Sequence, residues 1–178
     1  MLTITLPTRE YFNDYTNEFW SVPEVTLQLE HSLISLSRWE STWKKPFLNK
    51  EKKTPEEFQD YVRCMTTNRV EPNVYRRLTP ADYAKIQAYI DDPMTATTFH
   101  SMRDDPRNKE VVTSELIYYW MDSAQIDWAA EKWHLNRLLT LIRVHSVKNS
   151  NDKMSKSESA KYQQSLNQAR RAKHKKHR

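Results

Sequence analysis

Apolar residues recur at helical spacing through residues 111–149, the most apolar stretch of an otherwise polar chain. Two groups carry the pattern: Val112, Leu116, Tyr119 and Trp120 in the first, and Leu135, Leu138, Leu139 and Ile142 in the second. Spacings of three and four residues align side chains on one face of a helix. Asp127 lies between the groups and can cap a helix by accepting hydrogen bonds from its first turn. The pattern predicts two successive helices at the centre of the core; one continuous helix is the alternative.

The first residues follow a different period. Residues 2–6, Leu-Thr-Ile-Thr-Leu, alternate apolar and polar side chains, which is typical of a half-buried strand. Residues 18–29 predict a second strand, interrupted by Pro23, which strands tolerate only at an edge or a bulge. Residues 7–17 between them are rich in turn formers. We expect a short β-hairpin here, packed on the body.

From Leu29 the apolar period becomes helical. Leu29, Leu33, Leu36 and Trp43 share one face with Trp39 close beside it. Pro46 ends the helix because its ring clashes with the preceding turn and it lacks an N–H. A charged loop follows over residues 44–53.

Capping residues predict the starts of two further helices. Thr54-Pro55 and Thr79-Pro80 each place a capping threonine before a proline, which fits the first helical position. We expect helices near residues 55–66 and 80–91. Residues 94–99, MTATTF, are β-prone, and residues 100–109 are typical of an exposed loop.

The end of the chain is strongly basic. Residues 153–178 contain nine Lys or Arg and one Glu, a net charge of +8. The whole chain has a net charge of +5, so residues 1–152 carry −3. Residues 155–158 form a capping box for a polar helix that has no apolar face. We expect a basic tail that is flexible or ordered only against a partner.

The predicted fold class is therefore mainly α. We expect a compact helical domain of about five helices, with a short N-terminal β-hairpin and a basic, polar C-terminal tail. The predicted boundaries are residues 1–28 for the hairpin, 29–149 for the helical core domain and 150–178 for the tail. A chain of 178 residues is long enough to bury such a core.

Composition narrows the range of functions. The chain contains no glycine, whereas average usage is about 7%. Phosphate-binding loops, dinucleotide-binding turns and nucleophile elbows all need glycine, so we expect no enzyme, no catalytic residues and no cofactor. The single cysteine, Cys64, fits a reducing compartment. The absence of a long apolar run and of a signal-like N-terminus predicts a cytoplasmic protein with no membrane span.

Two local motifs match known signatures but do not indicate an enzyme or a metal site. Residues 153–157 spell KMSKS, the signature of class I aminoacyl-tRNA synthetases, but that loop works beside a glycine-containing nucleotide-binding fold. His174 and His177 stand in the basic run without a neighbouring carboxylate or cysteine. We therefore expect no metal site.

Several blocks of the sequence resemble one family. The blocks are TLQLEHSLISLSRWESTWKKPFL (26–48), VEPNVYRRLT (70–79), MTATTF (94–99), TSELIYYWM (113–121), EKWHLNRLLTLIRV (131–144), KMSK (153–156) and LNQARRAK (166–173). In this order they are similar to the tail assembly chaperones of long-tailed, siphovirus-like bacteriophages. SLSRWES and KWHLNRLLTLIRV are the most specific blocks. The resemblance is looser at residues 100–110 and 122–130, and KHKKHR is particular to this chain.

The resemblance implies a non-catalytic protein of the infected cell that binds the tape-measure protein and brings tail-tube subunits to it. A helix-in-groove contact would suit that role, with the exposed aromatic side chains of a helical domain as anchors. The candidate partner-binding residues are Trp39, Trp43, Trp120 and Trp133, together with Arg170, Arg171, Lys173, Lys175 and Lys176 of the tail.

Two alternatives stay open. The first is a virion structural protein, a connector or tail component, which would stay in the particle rather than in the host cytoplasm. The second is a phage nucleic-acid-binding protein that uses the basic tail, which is less favoured because no recognised nucleic-acid module accompanies it. Association between copies of the chain is compatible with each.

Overall fold

The computed structural model describes residues 1–15, 17–49, 51–97 and 111–151, together with Gln164. The strands in this part of the chain are β1 (Leu2–Leu6), β2 (Arg9–Asn13), β3 (Glu18–Val22) and β4 (Val25–Leu29). The α-helices are α1 (Leu33–Trp43), α2 (Pro55–Met65), α3 (Pro80–Asp91), α4 (Ser114–Ser123) and α5 (Leu135–Asn151). Two 3-10 helices, η1 (Pro72–Arg77) and η2 (Trp128–Lys132), lie among them.

The mainly α fold class predicted from the sequence is wrong, because the described residues contain four strands in two antiparallel pairs beside the helices, which is a mixed α+β fold. The N-terminal hairpin itself is confirmed, but it is longer than predicted. Part of the turn-rich segment 7–17 forms β2, and the segment 18–29 divides at Pro23 into β3 and β4. Aromatic contacts across the strands outweigh the local turn preference of that segment.

The two strand pairs form one ribbon in a single register. Leu2 lies opposite Leu29 and Leu6 opposite Val25, and the same register continues with Arg9 opposite Val22. Pro7 and Pro23 separate the two halves of the ribbon, where each lacks the N–H that a strand ladder needs.

The outer edge of β4 is covered by residues 65–68. The Glu30 N–H donates to the Met65 carbonyl (2.9 Å), and the Thr67 N–H donates to the Gln28 carbonyl (2.8 Å). Asn68 accepts from the Gln28 N–H and donates to the Thr26 carbonyl. The chain then turns away into η1, and β3 pairs only with β2 in the described part of the chain.

The core lies between the inner face of β1 and β4 and the helices packed on it. Its buried members are Ile4, Leu6, Leu27, Leu29, Trp39, Tyr61, Val62, Met65, Val74, Tyr75, Ile86, Tyr89 and Ile90. Leu135 and Leu138 of α5 are also buried, whereas Leu139 and Ile142, predicted on the same face, are only partly buried. None of the four belongs to this cluster, so the centre of the core lies elsewhere than the sequence predicts. The second half of the ribbon, β2 and β3, contributes no member to this cluster.

The helices begin where their capping residues predict. Thr54 and Thr79 each accept a hydrogen bond from the N–H three residues on, and α2 and α3 start at the following prolines. In a chain without glycine, left-handed backbone falls to other residues: Asn17 (φ 55°), Lys44 (φ 55°), Met94 (φ 48°) and Gln125 (φ 53°). Lys44 forms the C-terminal cap of α1.

The predicted cap at Asp127 exists, but it caps a different element. Its carboxylate accepts from the Ala129 N–H (2.7 Å) and begins η2, so α4 and α5 are separated by a short 3-10 helix.

Met1–Thr140 form one compact unit, and a second unit starts at Leu141, inside α5. Residues 94–97 form no strand, while the predicted loop and the basic tail lie largely outside the described residues. No helix of the described chain has the length and apolar character to span a membrane.

Candidate partner-binding surfaces

The second half of the ribbon, which we call the arm (residues 9–22), exposes large aromatic side chains on both faces. Tyr11 stacks on Trp20 across the strands with ring centroids 4.7 Å apart, and Phe12 packs on Phe19 at the same distance. Phe19 is 77% exposed and Trp20 is 54% exposed. Neighbouring residues of a strand point to opposite faces, so each face of the arm carries one aromatic pair.

These pairs explain why the arm forms. Directly opposed aromatic side chains each stabilise a strand pair by roughly 0.2–1 kcal/mol relative to alanine. Asn17 supplies the left-handed residue of the connecting turn, a conformation that asparagine tolerates better than most residues. A two-stranded hairpin with both faces in water is nevertheless only marginally stable by itself.

Arg77 of η1 holds the arm at its base. Its guanidinium donates to the carbonyls of Pro7 (2.5 Å), Pro23 (3.1 Å) and Leu6 (3.4 Å). The ribbon is interrupted at these residues, where the prolines have no N–H to donate. The Arg77 guanidinium therefore supplies donors to backbone carbonyls at this point of the ribbon. Its Nε is buried without a hydrogen-bond partner in the described structure.

A groove of about 860 Å³ runs between the Tyr11 and Trp20 face of the arm and the segment 69–77. Its aliphatic lining consists of Val22, Pro23, Val25, Val70 and Val74. Four arginines, Arg9, Arg69, Arg76 and Arg77, line it together with one carboxylate, Glu71. We call it the arginine groove. Its size and its apolar lining with a few charged groups are those of a binding site.

A second group of exposed aromatic side chains lies on α4 and η2, which we call the α4–η2 surface. Tyr119 is 65% exposed and Trp128 is 57% exposed. The Trp128 ring stacks on Tyr118 at 5.3 Å, and the Tyr118 hydroxyl donates to Glu131 (2.9 Å). Burial and this carboxylate raise the pKa of Tyr118 to about 12.

The tryptophans singled out in the sequence differ in their surroundings. Trp39 is fully buried and donates its indole N–H to the Glu57 carbonyl (2.8 Å), so its ring presents no surface to a partner. Trp43 is partly buried, stacks on Trp39 and donates to Asp60. Trp120 is half-buried. Trp133 is exposed, and the guanidinium of Arg137 lies 4.5 Å from its ring.

The five predicted tail residues, Arg170, Arg171, Lys173, Lys175 and Lys176, lie outside the described residues. Sequence reasoning missed the aromatic side chains of the arm and of Tyr119 and Trp128. One signal was present: the two strands REYFN and EFWSV place aromatic pairs at matching distances from a turn ending in asparagine.

The buried titratable groups form a cluster inside the body. His31 Nδ1 lies 2.5 Å from the Tyr61 hydroxyl, and the His31 ring packs edge-on against His134 at 5.1 Å. Burial and, to a lesser extent, the neighbouring His134 lower the pKa of His31 to about 3. Burial also raises the pKa of the Cys64 thiol to about 11, which favours its unreactive protonated form. Among the described residues no three His, Cys, Asp or Glu side chains are grouped as metal ligands.

Comparison with known proteins gave no relatives: no family model, no curated protein and no solved structure matches the chain.

Proposed function

We propose that the chain is a non-catalytic tail assembly chaperone of a long-tailed bacteriophage, acting in the host cytoplasm. In this role it binds the tape-measure protein and tail-tube subunits while the tail is assembled. The observation that carries the proposal is the presence of large exposed aromatic side chains on two different sets of elements, the arm and the α4–η2 surface.

Exposed aromatic side chains are characteristic of protein interfaces, because they bury much area and lose little conformational freedom. Two such surfaces suit a protein that must hold more than one partner. The sequence blocks that resemble the chaperone family include most of α4 and the last two residues of η2, whereas the arm lies outside them. A tape-measure protein is long and largely helical, so its apolar stripe must be covered until the tube encloses it.

The test is co-expression of the tagged full chain with the tape-measure and tail-tube proteins encoded beside it. The expected result is a soluble complex with a tape-measure segment that precipitates when expressed alone. The chain should also be missing from purified virions. Presence in mature particles at a fixed ratio, without a complex in solution, would favour the virion structural alternative.

Surface variants make the test specific. Trp128→Ser and Tyr119→Ser on the α4–η2 surface are expected to reduce tape-measure recovery by tenfold or more, since aromatic anchors contribute about 2 kcal/mol or more at the centre of an interface. Leu48→Ser is the matched control, because Leu48 is also an exposed apolar side chain but belongs to neither surface. Equal loss with Leu48→Ser would remove the α4–η2 surface from the proposal.

A further inference from the structure

The arm and the arginine groove carry opposite charge. The arm, residues 9–22, contains Glu10, Asp14 and Glu18 against Arg9, a net charge of −2. Residues 69–77, the wall opposite the arm, contain three arginines against Glu71, a net charge of +2. The body of the protein therefore presents an acidic aromatic projection beside a basic apolar groove.

These charges are not neutralised within one copy. Glu10, Asp14 and Glu18 are exposed, and none of them forms an ion pair in the described part of the chain. Arg69 and Arg76 are exposed and likewise form no ion pair with any described residue. The aromatic pair Phe12 and Phe19, on the face of the arm opposite Tyr11 and Trp20, is also uncovered.

We propose that the arginine groove of one copy receives the arm of a second copy. The exposed carboxylates of the incoming arm lie against Arg69 and Arg76, and its aromatic side chains cover the valines of the groove. The contact removes apolar surface from water on both sides, which is the main favourable term in association. It also supplies the cover that a two-stranded hairpin lacks when it stands alone.

A second copy fits this groove better than single-stranded nucleic acid does. Arginines beside a stacked aromatic pair would suit a phosphate backbone with bases. However, one wall of the groove is the arm itself, whose net charge of −2 repels polyphosphate. The aliphatic lining of four valines and a proline offers neither stacking nor hydrogen bonds to a base.

The geometry of the contact sets the form of the assembly. The groove of one copy receives the arm of the other, and these two parts are different sets of residues, so the contact joins two unlike patches. Such a contact closes if two copies exchange arms and otherwise continues from copy to copy. A repeated contact would place many copies side by side along a fibrous partner.

Charge exchange between two variants tests the proposal. In the first, the arm is reversed by Glu10→Lys and Glu18→Lys; in the second, the groove is reversed by Arg69→Glu and Arg76→Glu. Arg77 is left unchanged because it holds the base of the arm. Size-exclusion chromatography with light scattering on the full chain should show association of the wild type and the monomer mass for each variant alone.

The decisive sample is an equal mixture of the two variants. The reversed arm of one variant fits the reversed groove of the other, and the two unchanged parts also fit each other, so association should return. A variant that failed to fold could not be rescued by mixing, and near-UV circular dichroism checks the fold of each. Asp122→Lys and Lys132→Glu make the same charge changes at exposed residues that belong to neither part and should leave the assembly mass unchanged.

Several results would overturn the proposal. A wild type that stays monomeric at its highest soluble concentration would do so, as would a mixture of the two variants that stays monomeric. Salt-sensitive binding of a single-stranded oligonucleotide by a monomeric wild type, lost with Arg69→Glu and Arg76→Glu, would assign the groove to nucleic acid instead. Because only this chain is measured, these results are independent of tape-measure binding.

Discussion

His31 is held in its neutral form by its surroundings. The side chain is buried between Tyr61 and His134, and burial lowers its pKa from 6.5 to about 3. The unfolded chain keeps the ordinary pKa, so between these two values the unfolded state binds more protons than the folded state. Stability is therefore lost as the pH falls from about 6.5 towards 3.

We expect this histidine to contribute a loss of about 1.4 kcal/mol in the free energy of unfolding per pH unit within that window. His31→Asn keeps a hydrogen-bonding atom near the position of Nδ1 but does not titrate, so the acid-induced loss should be shallower by that amount. Urea unfolding at a series of pH values between 7 and 4 measures it.

His145→Asn on α5 serves as the control, since His145 is only partly buried. The account would be contradicted if the slopes of His31→Asn and the wild type were equal across the window. Carboxylates titrate in all three proteins and cancel in the comparison.

At the level of elements, Glu40 ties three segments together. This buried carboxylate accepts from the Phe47 N–H (2.8 Å) after α1 and from the Ser114 N–H (2.7 Å) in the first turn of α4. The positive end of the α4 dipole favours a negative charge at that place. Glu40 thus fixes α4 against α1 by hydrogen bonds rather than by apolar packing alone.

Glu40→Gln removes one acceptor and the charge but keeps the shape of the side chain. We expect a loss of about 1.5–3 kcal/mol in the free energy of unfolding, the usual range for hydrogen bonds to a charged group. Chemical denaturation followed by circular dichroism measures this loss. Glu56→Gln, at an exposed position in α2, is the matched substitution. An equal effect of the two changes would show that the hydrogen bonds of Glu40 contribute little.

The arm is a separable element because the core does not use it. Replacing residues 7–24 by Asn-Gly joins Leu6 to Val25, which already lie opposite each other, through a two-residue turn of a favoured type. We expect the shortened protein to keep the melting temperature of the full chain to within a few degrees, because about 1 kcal/mol shifts it by only roughly 2–8 °C.

The same shortened protein should lose self-association, since it has neither the arm nor one wall of the groove. Calorimetry and light scattering on one sample measure both properties. Unfolding of the shortened protein at ordinary temperature would show that the arm is required for the core. A control in which only Asp14 and Tyr15 are changed to alanine should retain the fold.

Elements whose signals are local were predicted from the sequence, and elements fixed by distant partners were not. The starts of α2 and α3 follow from Thr54 and Thr79, whose capping bonds reach only three residues along the chain. The second half of the ribbon depends on Tyr11 meeting Trp20 and Phe12 meeting Phe19, contacts that turn-rich residues conceal. Helical periodicity placed Trp39 and Trp43 on α1. It could not show that Phe47, from the loop after α1, would pack on Trp39 and on Tyr61 of α2, because these contacts join separate segments.

For the whole molecule, charge separates the body from its C-terminal end. Residues 1–152 have a net charge of −3 and residues 153–178 have +8. On the proposed function, we expect the basic segment to bind the tail-tube subunit while the α4–η2 surface binds the tape-measure protein. A chain that ends at residue 152 should therefore still recover the tape-measure segment, and its recovery of the tail-tube protein should fall.

Pull-down of each partner separately, at low and at raised salt, measures this division. Charge attraction between exposed groups weakens as salt rises, so tail-tube recovery by the full chain should fall with salt while tape-measure recovery changes less. Loss of both partners on truncation would show that the two tasks are not divided in this way. Retention of both would give the basic segment no part in partner binding.

The single register of the ribbon also bears on how fast the chain folds. Closing a loop costs entropy that grows with the logarithm of its length. Leu6 and Val25 pair across 18 intervening residues. If the turn at Asn17 forms first and Arg9 pairs with Val22, only two residues on each strand remain between that pair and the pairing of Leu6 with Val25. The arm would then act as a nucleus that accelerates pairing of β1 with β4. A substitution such as Phe12→Ser would then lower the refolding rate by nearly its whole effect on equilibrium stability and change the unfolding rate little, which stopped-flow refolding and unfolding measure.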